Sequence, residues 1–181
     1  MPADPDFTEI RTDRLVIRRF RPGDVDAFAA YRSDPDVARY QSWDVYAPAQ
    51  AQAFVAEMAA LQPGMPGEWF QFAVADPTTD ELLGDTAVCV DADDPSHAEL
   101  GFTFAPAHQG KGFATEAVRA TIDYTVGVLG VRVVVGVTDA RNAPSIALLE
   151  RIGMTLVSTA HVMFKGEGCD EHTYELRRDA R

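Results

Sequence analysis

The sequence predicts an α+β domain built on a mixed, mostly antiparallel central sheet flanked by helices. Three observations carry this. First, the β-rich runs Trp69 to Ala75, Leu82 to Val90 and Ala98 to Phe104 follow one another with only turn-forming segments between them, Asp76 to Asp80 and Asp91 to Ser96. That is the pattern of an antiparallel meander. Second, helical rhythms precede and follow the meander. Third, a strand ending near Phe104, a long helix from about Gly112 to Val128 and a strand from Val131 to Val137 come in succession. Those two strands should run parallel, joined by a right-handed crossover.

The elements read in order as follows. Arg14 to Arg19 is a β-branched strand, and a helix follows from Pro22 with Val25, Phe28, Ala29 and Tyr31 on one side. Pro48 opens a second helix, in which Ala51, Phe54, Val55, Met58 and Leu61 keep a 3.6-residue rhythm that marks them as core. Pro63 to Gly67 ends it, the meander and the long helix follow, and Asn142 to Arg151 is a further helix, stopped at Gly153. Two last strands, about Thr155 to Phe164 and His172 to Arg177, complete the chain.

A length of 181 residues fits one domain over 1–181, with a core large enough to need no disulfide or metal. The net charge of -12 argues against nucleic acid as a partner, since no stretch is rich enough in Lys or Arg to give a basic face. An acidic surface instead favours the approach of cations, amines included. The apolar runs are strand-length, so no membrane span is expected, and the first residues lack the basic and apolar regions of a leader. Cys89 and Cys169 make neither a disulfide framework nor a metal pair, which points to the cytoplasm. The four histidines form no ligand spacing, and Asp91 to Asp94 mimics half a calcium loop without its sixth and twelfth residues, so no metal site is expected.

The informative segment joins Phe104 to the long helix. Gly110 and Gly112 let the backbone curl at a helix start, where first-turn N–H groups lack partners and the helix dipole is positive, so an anion such as a pyrophosphate fits. A ligand-free glycine connector fits the glycines equally well. A P-loop fails, because Gly110-Lys111 is followed by Gly112 and the earlier glycine position is Ala105. A dinucleotide fingerprint has Thr115 at its third glycine and its first glycine too far from the strand, although Asp139 would supply the ribose-binding acid.

Gln109-Gly-Lys-Gly-Phe-Ala114 resembles the Q/R-x-x-G-x-G/A loop of the GNAT acetyltransferases. Asn142-Ala-Pro-Ser-Ile-Ala-Leu-Leu-Glu-Arg-Ile-Gly-Met154 is similar to that family's N-x-x-S-x-x-L-L-E-x-x-G-F/M segment. Thr12 to Arg19 and the final Phe164-Lys-Gly-Glu to Asp170, with Tyr174 and Leu176, resemble the branch of ribosomal-protein N-terminal alanine acetyltransferases. The likeness spans nearly the whole chain. One departure is Gly168, where many relatives carry Trp, which would open or reshape the acceptor pocket.

The resemblance implies a GNAT-like sheet with acetyl-CoA at the junction of strand 4 and helix 3, here Phe104 to Gly112. It implies an N-acetyltransferase acting on a protein N-terminus or a small-molecule amine by direct attack in a ternary complex. Phe104 would meet the pantetheine arm, and the backbone of Gln109, Gly110, Lys111, Gly112, Phe113, Ala114 and Thr115 the pyrophosphate. Asn142 and Ser145 would bond the pantetheine end; Asn142 also suits a helix N-cap, and Ser145 could act as the acid toward sulfur or only as a donor. Glu99 is the candidate general base, or else a solvated carboxylate beside Asp94, Ser96 and His97. Trp43, in Tyr40-Gln-Ser-Trp43, would wall the acceptor pocket or sit in the core, and His108 would flank the loop. The alternative from another class is a non-catalytic acyl-CoA sensor. A homodimer is compatible with the sequence, which marks no interface.

Overall fold

The alternating runs become strands and the 3.6-residue rhythms become helices in a computed structural model, which describes residues 3–44 and 46–178. In chain order the elements are β1 (Glu9–Arg11), β2 (Val16–Arg18), α1 (Val25–Arg32), α2 (Pro35–Ala38), α3 (Pro48–Ala60), β3 (Trp69–Ala75), β4 (Leu82–Val90) and β5 (His97–Phe104). Then come α4 (Phe113–Gly127), β6 (Val133–Asp139), α5 (Ala143–Arg151), β7 (Thr155–Phe164) and β8 (Glu167–Arg177). The strands form one sheet in the order β1-β2-β3-β4-β5-β6-β8-β7, and only β5 and β6 pair in parallel, with α4 crossing between them. This is the mixed, mostly antiparallel sheet expected.

Four elements differ from the sequence reading. The opening strand shrinks to Val16–Arg18, because Thr12 closes a turn on Leu15 through its backbone and hydroxyl and lets Glu9–Arg11 pair back. The first helix starts at Val25, since Pro22–Asp24 forms a 3-10 turn in which the Asp24 carboxylate accepts the Arg21 N–H at 2.7 Å. The short α2 went unread; Asp34 caps it by accepting the Asp36 N–H at 2.9 Å. The last strand begins at Glu167, five residues early, because a two-residue turn at Lys165–Gly166 zips the hairpin from Phe164↔Glu167 onward.

The sheet is covered on both faces at β3 and β4, while β7 is exposed along most of its length. Leu15, Ile17, Phe72, Ala98, Leu100 and Phe104 pack with Ala117, Val118 and Ile122 of α4 and Leu148 and Leu149 of α5. On the other face Phe28, Tyr31, Ala51, Val55 and Met58 of α1 and α3 close over Ala73 and Leu82. Each buried Val, Leu, Ile, Phe or Met among them contributes about 1.5–3 kcal/mol of transfer free energy.

The feature that positions the site is a gap in the ladder. Strands β5 and β6 pair from His97↔Val133 only as far as Leu100↔Gly136. On its other edge β5 stays bonded to β4 out to Gly84↔Phe104, and β6 stays bonded to β8 out to Asp139↔Glu171. The two strands therefore diverge, and the backbone of Gly101 to Phe104 faces an open wedge.

Candidate active site

That wedge is the inner part of a cleft of about 1540 Å³. Of the residues singled out in the sequence, Phe104, Gln109, Gly110, Gly112, Ala114, Thr115, Asn142, Ser145 and His108 line it, together with Tyr40 and Gln41. Lys111 and Phe113 belong to the same loop without facing the cleft, and Glu99 and Trp43 lie outside its lining.

The loop owes its shape to local chemistry. Gly110 and Gly112 have φ of +73° and +82°, the left-handed region where a side chain is strained. Among the described residues, no backbone N–H from Gly110 through Thr115 has a partner in the chain; the first satisfied one is Glu116, bonded to the Gly112 carbonyl at 3.1 Å. A row of free donors at the start of a fifteen-residue helix is an anion site. Gln109 anchors the loop to the strand by donating its side-chain amide to the Phe104 carbonyl at 2.9 Å.

The loop also rests on a support that sequence reasoning missed. Arg14 donates to the Lys111 carbonyl at 3.0 Å, pairs with Glu116 at 2.7 Å and lies over the Phe113 ring at 4.8 Å. Glu116 further accepts from the Thr12 hydroxyl at 2.6 Å. Burial alone would push the Glu116 carboxyl up, but the bonds from Thr12 and Arg14 bring it below its ordinary value. The carboxylate in the first turn of α4 is thus neutralised, which leaves the helix start free for an anion. Thr12 and Arg14 lie within the Thr12-to-Arg19 likeness, so the signal was present in the motif without its meaning. Further along the cleft, Arg151 donates to the Thr115 hydroxyl at 3.3 Å and Arg119 to the Arg151 carbonyl at 2.9 Å. Neither arginine pairs with a carboxylate among the described residues.

At the opposite wall, Asn142 is the N-cap of α5, its side chain accepting the Ser145 N–H at 3.3 Å. The turn before it is fixed by Asp139, which accepts from the Arg141 backbone and guanidinium at 2.7 to 2.9 Å. Those bonds, chiefly the guanidinium's, hold the Asp139 carboxyl down at about 2. Asp139 is therefore already bonded three times within the chain, which counts against the ribose-binding role of the dinucleotide alternative.

Glu99 lies on the other face of β5. Ala98 and Leu100 enter the core under α4 and α5, so the strand's alternation turns Glu99 toward the α1 and α3 side, opposite Cys89 of β4 and Val135 of β6. It is two residues, roughly 7 Å, before the wedge opens at Gly101. Its carboxyl is open to solvent yet lies in a hollow of the sheet; partial desolvation first, and the charge of Glu171 second, push it above its ordinary value. Trp43 is half-buried, with the Arg32 guanidinium stacked on it at 3.6 Å.

The remaining candidates are ordinary. His97 pairs with Asp94 at 2.8 Å and His108 with Glu81 at 3.2 Å. Asp91 accepts the Asp93 and Asp94 N–H groups at 2.8 Å, the turn read from the sequence. The space beside Gly168 is taken by His161, whose Nε2 would lie 2.8 Å from a Cβ there. Among the described residues no group of His, Cys, Asp or Glu could hold a metal ion, and no helix is long and apolar enough to cross a membrane.

This chain is similar to acetyltransferases of known sequence and structure. The acetyltransferase (GNAT) domain family matches residues 14–155. The uncharacterised N-acetyltransferase p20 of Bacillus licheniformis is 30% identical over 142 residues, covering 78% of this chain and 79% of the relative. A GNAT-family acetyltransferase structure from Bacillus anthracis superposes with a TM-score of 0.82 at 26% identity, over 94% of this chain and 98% of that one. The ribosomal-protein-S5-alanine acetyltransferase structure of Vibrio fischeri shares the fold, with a TM-score of 0.80 at 18% identity over 96% and 98% of the two chains. With the loop, the divergent strands and the capped α5 all in one cleft, the chain belongs to the GNAT family of acetyltransferases.

Proposed function

We propose that the protein transfers the acetyl group of acetyl-CoA to a primary amine, a protein N-terminus or a small molecule, by direct attack in a ternary complex. The observation that carries this reading is the row of partnerless N–H groups from Gly110 through Thr115 at the head of the cleft. They suit a pyrophosphate, and Arg119 and Arg151 beyond them suit a further phosphate of the same molecule. The unpaired edge of β5 from Gly101 to Phe104 suits the amide groups of a pantetheine arm. An N–H on that edge would polarise the thioester carbonyl, and most of the rate gain would come from positioning.

In this reading the amine lone pair forms the C–N bond, the C–S bond breaks, and sulfur leaves as thiolate. The amine arrives mostly protonated and must shed a proton. Glu99 takes it through water on the far face of β5, which its raised pKa favours. Ser145, in the cleft wall, donates to the sulfur. Asn142 keeps its amide N–H free for the pantetheine, since its oxygen is used as the cap.

Thermal unfolding with acetyl-CoA, CoA and NADH is the first test. A ligand at ~100 times its Kd stabilises by ~2.7 kcal/mol. Stabilisation by the two CoA species and not by NADH is expected; no shift with either defeats the reading. Thiol release from acetyl-CoA is then followed with a panel of alanyl- and seryl-initiated peptides, spermidine and kanamycin. CoA binding without release for any amine would favour a sensor. Full kcat in Ser145→Ala would remove the acid role.

A further inference from the structure

We propose that Lys165 is a positioning residue for the acceptor end of the cleft, fastening the β7–β8 hairpin to the segment that walls it; this rests on the acetyltransferase reading above. An ammonium has three N–H donors. All are used here: Lys165 Nζ lies 2.9 Å from the Ala38 carbonyl, 2.6 Å from the Trp43 carbonyl and 3.1 Å from Asp44 Oδ1. One side chain thereby ties together both ends of the segment from Ala38 to Asp44, which carries Tyr40 and Gln41 into the cleft.

The backbone at Lys165 shows that the ammonium outweighs local preference. Lys165 and Gly166 are the two central residues of a tight hairpin turn, with φ of +50° and +82°. Asn, Asp or Gly is the ordinary choice at such a first position, because an L side chain there is strained. A lysine also loses much side-chain freedom when held. The three contacts of its ammonium work against both costs.

The other side of the segment is anchored independently. Trp43 stacks on Arg32, and Arg32 is paired at 3.0 Å with Asp85 in the middle of the sheet. The segment is thus held between the sheet and the hairpin tip. The Tyr40 hydroxyl points at the Arg141 carbonyl at 3.5 Å, one residue before Asn142. The phosphate-loop end has its own supports, Arg14 and Gln109, and shares none with the clasp. Loosening Lys165 therefore acts first on the segment from Ala38 to Asp44, while the phosphate loop keeps its own supports.

The test uses Lys165→Asn, which suits the turn and deletes the ammonium, and Lys165→Arg, which restores a cation. Hydrogen exchange of peptides covering residues 38–44 should quicken about tenfold or more in Lys165→Asn and return toward wild type in Lys165→Arg. CoA affinity by calorimetry should stay within about twofold in both. For the panel amine turned over fastest, KM should rise about fivefold or more in Lys165→Asn, with kcat within about twofold. Unchanged exchange at 38–44 in Lys165→Asn overturns the clasp. Loosened exchange with an unchanged KM overturns its role in acceptor positioning. Failure of the wild type to bind CoA would count against the acetyltransferase reading instead, and the exchange comparison still decides the clasp.

Discussion

At the scale of single residues, the site is governed by carboxylates in contrasting surroundings. Asp139 is 8% exposed and charge-bonded to Arg141, which holds its pKa at about 2 against an unfolded value of about 3.9. A depressed folded pKa contributes stability above the unfolded pKa, and that contribution is lost as pH falls through the folded value. Asp139→Asn should therefore cost roughly 1–3 kcal/mol at pH 7. The gap to wild type should close between about pH 4 and pH 2, as read from urea unfolding at a series of pH values; a gap independent of pH in that window contradicts the assignment. Glu99 is the opposite case, raised by desolvation and then by Glu171. Removing the second charge with Glu171→Gln makes the Glu99 carboxylate easier to form. If Glu99 is the base, the acidic limb of the kcat/KM profile moves to lower pH in that variant, whereas a fixed limb assigns the base elsewhere.

At the scale of elements, what could be read from the sequence was whatever is local. The turn glycines, the helix start at Gly112 and the cap at Asn142 depend on neighbours a few residues away, so motif and periodicity located them. The face that Glu99 takes became visible only with the register of β5 against β4 and β6. The supports were not legible, because their partners are distant and often backbone: Glu116 meets Thr12 across 104 positions, and Lys165 meets carbonyls 127 and 122 positions away. A carbonyl carries no side-chain signature in a sequence. Gly84 belongs with these. A Cβ there would lie 2.4 Å from the Thr103 carbonyl oxygen and 2.9 Å from the Phe104 Cα, and backbone cannot swing aside as a side chain can. Gly84→Ala must displace the end of β5, and with it the Phe104 carbonyl that Gln109 holds. The expected loss is about 1–3 kcal/mol in urea unfolding, with CoA binding weakened about tenfold or more by calorimetry. A stable variant that binds CoA as wild type does would show that the contact is slack.

At the scale of the whole molecule, the fold class was predictable because meander, crossover and flanking helices each leave a pattern in the chain. The charge balance was less informative than it looked. A net charge of -12 describes the surface, while the cleft that suits an anionic cofactor is lined by Arg14, Arg119, Arg141 and Arg151. Exposed charges farther apart than about 8–10 Å are largely screened at ordinary ionic strength. Arg14 and Arg141 are paired with carboxylates, so among the described residues Arg119 and Arg151 are the arginines left to meet an anion there. The largest electrostatic stake lies elsewhere, under α1. Asp85 is 1% exposed, accepts two bonds from Arg32 at 3.0 Å and one from the Tyr31 hydroxyl, and burial first, then the Asp85 charge, pushes the Tyr31 phenol well up. Arg32 itself is 2% exposed. Asp85→Asn leaves that guanidinium buried without a counter-charge, which typically costs about 3–5 kcal/mol. A protein's whole margin is only about 5–15 kcal/mol. For a chain of this size the loss corresponds to a fall in Tm of roughly 6–20 °C. The exposed Arg14–Glu116 pair provides the control, because Arg14→Gln should cost less than about 1 kcal/mol in stability while weakening CoA binding through the loop it supports. Equal stability losses in the two variants would mean that burial does not set the strength of these pairs.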